Sequence, residues 1–370
     1  MNFELSAEQE LLRDTVRRFL AERAPIADHV RARLGDEVGV DGSVWSGLAE
    51  LGVLGLLTGT STDPPDLLSA GVVIEETGRA LLREPYLASP VSAATALCCV
   101  EDPAATADLR RAIADGSRIV TVAIHEPLRR YDWRGPTCRA RKMDDDWWLS
   151  GVKQPVLALR AADTILVTAT ANDGLALLSV DASDLDEAAR TSVESVDVTR
   201  PTGRLELDEV RAARLAQIDP VSSTRRVLDV TGLGLALDGL GAASAVLDMT
   251  VEYARHRHQF GVPIGSFQAV QHLCADMLRD IEMARVGAYY ALWAGQSADD
   301  DEFHRAATMA QAHAGDVLPR VGETAIQVFG GIGFTWEHDV HLFYRRLLGD
   351  AALYGDADAH FAEVARIALD

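Results

Sequence analysis

Residues 253–268 read YARHRHQFGVPIGSFQ. The stretch interrupts a long helical pattern, because Gly261 and Pro263 are residue types that end a helix. Ser266, just beyond them, can cap a following helix. This break between two helical runs is the feature around which the C-terminal half of the chain is organised.

The same break carries side chains that suit a nucleotide ligand. Arg257 offers a guanidinium fork for a pyrophosphate, and Gln259 offers an amide for neighbouring hydroxyl groups. Phe260 offers a flat face for a ring system. The alternative is a helix–turn–helix corner with an arginine ion pair and a buried phenylalanine. His256 and His258 are two residues apart and so lie on different helix faces, which disfavours a metal site.

A second candidate ligand segment lies at residues 327–334, QVFGGIGF. Adjacent glycines at a helix end, here Gly330 and Gly331, let the backbone approach a ligand and expose its N–H groups. A glycine cap followed by a turn is the alternative. The segment is not a Rossmann fingerprint, because no predicted strand precedes it and no βαβ unit surrounds it.

The N-terminal part of the chain has a helical pattern. Ser6 can cap a first helix, and residues 45–57 and 67–82 continue with apolar side chains at helical spacing. From about residue 117 the pattern changes to short β-favouring runs separated by turn formers. That pattern is typical of a small β-barrel or sandwich.

After Pro220 the chain is helical again, and its runs predict an antiparallel four-helix bundle. The predicted runs are residues 222–256, 266–296, 301–329 and 357–369. We therefore predict an α+β fold with three domains. These are a helical domain at residues 1–116, a small β-barrel at 117–219 and a helical bundle at 220–370.

Composition excludes several classes of partner. The net charge of −21 disfavours nucleic acid and anionic membrane surfaces. A ligand with phosphate groups would need a local basic patch. Residues 228–247 are apolar, but Asp229 and Asp238 interrupt them and glycines recur, which indicates a buried helix and no membrane span. The first residues lack a signal-peptide pattern, and the four cysteines lack metal-ligand spacing, so we expect a cytoplasmic protein with reduced thiols.

The pattern YAxxRxQFGxPIxxFQ, followed some sixty residues later by QxxGGxGF, resembles the acyl-CoA dehydrogenase family. Further segments agree in order: LSAEQELLRDTVRRFLAERA, ELGVLGL, VVIEETGRALLREPYLAS, WWLSGVKQPV and EHDVHLFYRR. The resemblance covers nearly the whole chain. It implies a helical domain, a β-barrel and a helical bundle, with FAD between the barrel and the bundle.

In this family a neighbouring subunit holds the adenosine and pyrophosphate end of FAD with residues of these two segments. The resemblance carries these contacts over to Arg257, Gln259, Phe260, Phe267, Gln327, Gly330 and Gly331. It also implies an acyl-CoA substrate, an electron acceptor such as an electron-transfer flavoprotein, and an oligomeric enzyme.

The flavin-ring half of the family's site departs from the family pattern. Residues 121–130 read TVAIHEPLRR where a TEP-plus-GSD loop is usual, so the glycine–serine–aspartate part is absent. A KxWITN-like stretch is replaced by residues 153–158, KQPVLA. There Pro155 and Leu157 replace aromatic and hydroxyl side chains, and apolar groups cannot donate to the flavin's polar edge.

The resemblance also places the catalytic base, which removes the α proton of the thioester while the β hydride passes to the flavin. The family's IYEG-like segment corresponds to Leu353-Tyr354-Gly355-Asp356, which puts Tyr354 or Gly355 at the base position. Some members carry the base on the first bundle helix, where this chain has Thr231. None of these three is an acid, and the reference pKa of tyrosine is about 10.

Two acids nearby are candidates for the base. Asp238 lies seven residues after Thr231, about two helical turns, and an acid in so apolar a stretch is unusual. Its alternative is a paired structural carboxylate. Asp356 lies one residue past the usual site, and its alternative is the N-cap of the last helix.

Three functional hypotheses follow. In the first, this chain is the base-lacking partner in a heterotetramer of two acyl-CoA dehydrogenase-like chains, where it holds an FAD whose ring lies in the other chain. In the second, it is a self-sufficient homo-oligomeric dehydrogenase with Asp238 or Asp356 as base. In the third, it is a non-catalytic scaffold of the same fold. By analogy, paired systems are associated with bulky or polycyclic acyl groups such as sterol side chains.

Overall fold

The computed structural model describes residues 5–59, 64–127, 134–217 and 222–369. Its N-terminal part is helical and begins with α1 (Ala7–Arg23). The predicted cap at Ser6 is confirmed, because its hydroxyl accepts from the Gln9 backbone N–H and the Gln9 side chain accepts from that of Ser6. The helices that follow are α2 (Gly42–Glu50), α3 (Leu67–Arg79), α4 (Ala94–Cys98) and α5 (Pro103–Ala114).

The middle of the chain forms a small β-barrel. Its strands are β1 (Val120–Ala123), β2 (Arg139–Met143), β3 (Asp146–Leu157), β4 (Thr164–Ala171), β5 (Gly174–Asp181), β6 (Arg190–Ser192) and β7 (Thr202–Gln217). The sheet has the order β1-β4-β2-β3-β7-β5, and β5 also pairs with β4, so the ring of strands closes. A core of its own, separate from that of the helices, fills the barrel.

The C-terminal part is a bundle of long helices. They are α6 (Ser222–His256), α7 (Gln268–Ser297), α8 (Asp300–Phe329), α9 (Val340–Ala352) and α10 (Ala357–Leu369). Helix α7 runs back along α6, since Arg226 at the start of α6 donates to the carbonyl of Gly295 at the end of α7, at 2.8 Å. The predicted α+β architecture is confirmed, and α9 is a helix that the periodicity had not identified. The three domain boundaries stay a prediction.

Helix α6 is long and apolar enough to cross a membrane by length and composition, but 89% of its most apolar window is buried inside the protein. Its glycines explain part of that burial. A Cβ atom on Gly241 would lie 1.8 Å from the carbonyl oxygen of Glu75, and one on Gly78 would lie 1.9 Å from the carbonyl oxygen of Asp238. Helices α3 and α6 therefore touch backbone to backbone, which only glycine permits.

A buried arginine ties the three parts together. Arg346 of α9 is fully buried and forms ion pairs with Asp197, at 2.9 Å, and with Asp238, at 3.0 Å. Its guanidinium also donates to the carbonyl of Leu82 at 3.1 Å and to the hydroxyl of Thr199 at 2.7 Å. Its partners thus come from the loop that follows α3 in the N-terminal part, from the segment between β6 and β7, and from α6.

We expect Gly241→Ala to lower the free energy of unfolding by about 2–4 kcal/mol, because the added methyl group must push α3 and α6 apart. The matched control is Gly287→Ala on α7, where the nearest atom to a Cβ is 4.0 Å away. That change should be neutral or stabilise by up to about 1 kcal/mol through helix propensity. Urea unfolding followed by circular dichroism measures both. Equal stability of the two variants would contradict the close contact.

We expect Arg346→Met to cost about 3–5 kcal/mol of unfolding free energy, because Asp197 and Asp238 would lose a cation that compensates their buried charge. Arg320→Met is the control, since Arg320 is 55% exposed and pairs with Asp316 at 3.2 Å on the surface of α8. Its loss should cost at most about 1 kcal/mol. The same urea titration compares them, and a cost below about 1 kcal/mol for Arg346→Met would contradict the role given to this cluster.

Candidate active site and flavin-contact surface

The two segments that the sequence singles out lie at the same end of the bundle. The ring of Tyr253 in α6 stacks on that of Phe329 in α8, with centroids 4.4 Å apart. The hydroxyl of Tyr253 also donates to the carbonyl oxygen of Phe329, at 3.4 Å. The C-terminal ends of α6 and α8 are therefore neighbours, although they are far apart along the chain.

The first segment forms a tight hairpin between α6 and α7. Its two short strands are β8 (His258–Gln259) and β9 (Val262–Pro263). At the tip, Phe260 and Gly261 adopt φ angles of +55° and +83°. The predicted break is thus confirmed. The predicted cap at Ser266 is wrong, because its hydroxyl donates back to the carbonyl of Pro263, at 2.7 Å, and α7 has Phe267 as its N-cap without a side-chain bond.

The side chains of this hairpin point to solvent. Phe260 is 93% exposed, and its ring meets that of Phe267 edge to face at 6.2 Å. Arg257 and Gln259 are exposed too. Among the described residues no carboxylate lies within ion-pair distance of Arg257. The alternative of a paired arginine and a buried phenylalanine is therefore not what the fold contains.

The second segment is equally open. Gly330 ends α8 with a φ of +65°, so the predicted glycine stop is confirmed. Gln327, Gly330 and Gly331 are exposed, and no described atom lies within 4 Å of a Cβ built on either glycine. We call the exposed residues Arg257, Gln259, Phe260, Phe267, Gln327, Gly330 and Gly331 the bundle-end surface. Donors and an aromatic face on an open surface fit the adenosine and pyrophosphate part of FAD.

The cleft between the barrel and the bundle is closed by a ring contact. His125 follows β1 and Tyr354 precedes α10, and their ring centroids are 4.7 Å apart. These are the positions at which the resemblance puts a flavin-contacting side chain and the catalytic base. With the two rings in contact, a flavin ring has no room between them.

A buried ion pair fixes the loop that presents His125. The ammonium of Lys153 donates to Glu126 at 3.0 Å and to the carbonyl of Ile124 at 2.9 Å. Thr137 also donates to Glu126, from its backbone at 2.7 Å and its hydroxyl at 2.6 Å. Burial alone would raise the pKa of Glu126, but Thr137 and Lys153 outweigh it and lower that pKa to about 2. The loop is therefore held firmly.

The second flavin-facing stretch offers few donors. Pro155 has no N–H and follows a cis peptide bond. Leu157 is buried in the core, and its carbonyl already accepts from the hydroxyl of Thr121 at 2.6 Å. These two positions therefore do not fit the polar edge of a flavin. Leu128, Arg129 and Arg130, which stand where the family has its GSD loop, lie outside the described residues.

The predicted base positions hold no acid. Burial raises the pKa of Tyr354 well above its usual value. A Cβ atom on Gly355 would lie 2.5 Å from Nε2 of His360, so the imidazole fills the space that a longer side chain would need. The hydroxyl of Thr231 donates to the carbonyl of Val227 within α6, at 2.6 Å.

Asp238, the sequence-based candidate for the base, belongs to the buried ion-pair cluster. It pairs with Arg200 at 2.8 Å and with Arg346 at 3.0 Å. Burial alone would raise its pKa, but these two cations outweigh burial and lower it, so Asp238 is a poor proton acceptor. It supports the fold as a paired structural carboxylate, and we do not retain it as the base. Asp356 accepts from the backbone N–H of Ala359 at 2.9 Å and caps α10.

A polar cavity of about 180 Å³ lies beside the closed cleft. It is lined by His125, Arg134, Arg225, Leu228, Asp229, His304, Thr308, Gln311, Tyr354, Gly355, Ala359, His360 and Glu363. At its centre, His304 of α8 bridges two carboxylates. Its Nδ1 lies 2.9 Å from Asp229 of α6, and its Nε2 lies 3.2 Å from Glu363 of α10.

The environment of this bridge favours the charged form of His304. Burial alone would lower the pKa of His304, but Asp229 and Glu363 outweigh it and raise that pKa. Burial in turn raises the pKa of Asp229. Sequence analysis missed this group. The signal was available in Asp229, an acid in an apolar helix, which is the same signal that drew attention to Asp238.

Sequence-family models of acyl-CoA dehydrogenase domains match both helical parts of the chain. The model of the "Acyl-CoA dehydrogenase, N-terminal domain" matches residues 6–108, and that of the "Acyl-CoA dehydrogenase, C-terminal domain" matches residues 221–369. The matched residues include both segments of the bundle-end surface and every helix that lines the polar cavity.

Relatives match over nearly the full chain. Acyl-CoA dehydrogenase IpdE2 of Mycobacterium tuberculosis is 32% identical over 351 residues, which are 94% of this chain and 92% of IpdE2. Acyl-CoA dehydrogenase FadE34 of the same organism is 33% identical over 362 residues, which are 95% of this chain. That match covers 46% of FadE34, so this chain spans about half of its length.

Solved structures agree. A variant of the Tcur3481–Tcur3483 steroid acyl-CoA dehydrogenase superposes with a TM-score of 0.87 at 31% identity, covering 98% of each chain. The ChsE4–ChsE5 complex of Mycobacterium tuberculosis gives a TM-score of 0.88 at 26% identity, covering 100% of this chain and 99% of that one. By sequence and by fold, the chain belongs to the acyl-CoA dehydrogenase family, whose members depend on FAD.

Proposed function

We propose that this chain is the base-lacking member of a heteromeric, FAD-dependent acyl-CoA dehydrogenase. In the complex it holds the nucleotide end of a flavin whose ring lies in a second acyl-CoA dehydrogenase-like chain. The observation that carries the proposal is the asymmetry of the two half-sites. The bundle-end surface is open and rich in donors, whereas the cleft beside its own barrel is closed and lacks an acid at the base position.

The bundle-end surface has the chemistry that a dinucleotide needs. The guanidinium of Arg257 has no carboxylate partner among the described residues. It can therefore donate to two phosphate oxygens at once. The amides of Gln259 and Gln327 can bind hydroxyl groups, and Phe260 can stack on an aromatic base. A phenylalanine that is 93% exposed on a monomer is also a common sign of a surface that another molecule covers.

Bound FAD would supply the hydride acceptor of an α,β-dehydrogenation. The proton acceptor would then have to come from the partner, because Tyr354, Gly355 and Thr231 cannot take the proton at neutral pH. The names of two similar structures, the ChsE4–ChsE5 complex and the Tcur3481–Tcur3483 enzyme, support an assembly of two different chains.

We propose the substrate and the electron acceptor from the names of similar proteins. The word steroid in the name of the Tcur3481–Tcur3483 enzyme supports a bulky or polycyclic acyl-CoA. A more distant relative is the CarC subunit of the caffeyl-CoA reductase–Etf complex of Acetobacterium woodii, 26% identical over 243 residues. Its name supports an electron-transfer flavoprotein as the acceptor. Cytoplasmic localisation stays a prediction.

The first test is the cofactor content of the chain alone. Purified without a partner, it should bind far less than one FAD per chain, because the flavin ring finds a closed cleft. Equilibrium dialysis against FAD, followed by the visible absorbance of the retained flavin, measures the ratio. One FAD per chain, bleached on addition of an acyl-CoA, would contradict the half-site model and favour the self-sufficient dehydrogenase.

The second test uses the complex with a co-expressed family member that keeps the GSD loop and an acidic base. Arg257→Ala and Gln327→Ala should each weaken FAD binding, the arginine change by roughly ten- to a hundredfold, because a charged hydrogen bond to a phosphate is lost. Arg255→Ala is the matched control, since Arg255 is 71% exposed and pairs with Glu252 at 3.9 Å. Full flavin content and activity in all three variants would favour the scaffold hypothesis.

A further inference from the structure

Helix α10 is held on the bundle by few apolar contacts. No side chain of this helix is buried. Two of its largest apolar side chains, Phe361 and Leu369, are 48% and 86% exposed. The helix lies along α8, where a Cβ atom on Gly315 would be 3.7 Å from that of Ala357. Because burial of apolar surface supplies most of the free energy that holds a helix in place, the attachment of α10 depends on its polar contacts.

A bridge through His304 of α8 supplies such a polar contact. Nδ1 of this ring lies 2.9 Å from Asp229 of α6, and its Nε2 lies 3.2 Å from Glu363 of α10. Ionised carboxylates only accept hydrogen bonds, and a neutral imidazole has a proton on only one nitrogen. One further proton, between Asp229 and Nδ1, is therefore needed to complete both hydrogen bonds. Its loss leaves a lone pair that faces a carboxylate.

The charged groups around His304 set the pH at which the bridge loses this proton. Burial alone would lower the pKa of His304, but Asp229 and Glu363 outweigh it and raise that pKa. Burial lowers the pKa of His360, so this second imidazole of the cavity is neutral where His304 is charged. The titratable and charged groups that face His304 or its two acids from α6, from α10 and from the segment before β2 are Arg225, Asp229, His360, Glu363, Arg366 and Arg134.

The link between α9 and α10 consists of residues 353–356 and has an unusual backbone. Tyr354 and Gly355 have φ angles of +57° and +129°. The left-handed region is uncommon for a side chain as large as tyrosine, and its cost must be offset by other contacts. The ring of Tyr354 contacts that of His125 across the cleft, with centroids 4.7 Å apart. Because the link continues directly into α10, a helix that leaves the bundle also frees Tyr354 from this conformation.

Helix α9, on the other side of the link, is fixed. Arg346 is fully buried with its ion-pair partners, and Asp350 near the end of the helix pairs with Arg200. A movement between a fixed helix and a lightly held one is absorbed by the segment that joins them. The packing of α9 thus places the link opposite His125, and the attachment of α10 decides whether Tyr354 stays there.

We propose that α10 and the link form a strap that closes the cleft beside the barrel. The strap is held closed while the proton between Asp229 and His304 is present, and it is released when that proton is lost. Release moves Tyr354 away from His125 and opens the cleft. The strap is a property of this chain beyond the proposed function, which concerns the bundle-end surface and a partner chain. It is tested on the chain without FAD, so its failure and that of the flavin half-site are distinguishable.

The sign of the pH dependence follows from the raised pKa of His304. A histidine whose pKa is raised on folding adds stability at low pH, and that stability is lost as the pH rises through the raised pKa. The strap should therefore be closed at about pH 6, below the ordinary pKa of histidine, and released towards about pH 9.

The experiment is hydrogen–deuterium exchange of the purified full chain over this pH range. Each rate is divided by that of an unstructured peptide of the same sequence, which removes the pH dependence of exchange itself. The protection of residues 353–369 should fall at least tenfold as the pH rises, because a charge-assisted hydrogen bond is lost. Helix α5, a surface helix of 12 residues in the N-terminal part, is the internal control and should keep its protection.

Three variants assign the effect to the bridge. His304→Gln cannot take up the proton, so its α10 should be weakly protected throughout the pH range. Glu363→Gln should protect α10 throughout, because an amide donates to a neutral imidazole and accepts from a charged one. His272→Gln, which replaces an exposed histidine of α7, is the matched control and should behave as the wild type.

Circular dichroism verifies the fold of each variant, and the wild type with Glu363→Gln decides the outcome if His304→Gln does not fold. Protection of α10 that does not change with pH in the wild type overturns the proposal. So does a pH dependence equal to that of the wild type in folded His304→Gln or Glu363→Gln. Release of α10 with the link still protected contradicts the opening of the cleft.

Discussion

One buried guanidinium group holds the parts of this protein in register. Arg346 is fully buried, and its partners come from the loop after α3, the segment before β7 and helix α6. A buried charge is tolerated only when its partners are all in place, so the three parts must assemble together. Helix α6 is also held against α3, through the close backbone contacts at Gly78 and Gly241.

The relative placement of the barrel and the bundle determines how the cleft beside the barrel differs from the bundle-end surface. With the barrel and bundle locked together, the end of β1 meets the start of α10, and His125 touches Tyr354. The opposite end of the bundle carries no such constraint, and Arg257 and Phe260 extend into solvent. The closed cleft is thus a consequence of interior packing, whereas the bundle-end surface is what remains for another molecule to cover.

Much of the fold could be predicted from the sequence, because the residues that end helices act locally. Gly330 ends α8 where expected, and the predicted break after α6 is present, although α6 already ends at His256 and Gly261 forms the tip of the hairpin that follows. The predicted cap at Ser266 is wrong, because the Ser266 hydroxyl donates to the carbonyl of Pro263 and does not accept from the first turn of α7. Helix α9 was not identified by periodicity because Arg346, a charged residue, occupies its buried face. Long-range pairing of charges therefore limits what local patterns can predict.

The two acids of α6 make the same point about the site. Asp229 and Asp238 both interrupt an apolar helix, and each indicates that the fold supplies a partner. Nine residues are about two and a half turns, so the two side chains leave the helix on opposite sides. Asp238 meets Arg200 and Arg346 and becomes part of the scaffold, whereas Asp229 meets His304 beside the polar cavity. An acidic residue in an apolar helix predicts that a cation of the same protein lies beside it. Only the placement of the cations decides whether it belongs to the core or to a site.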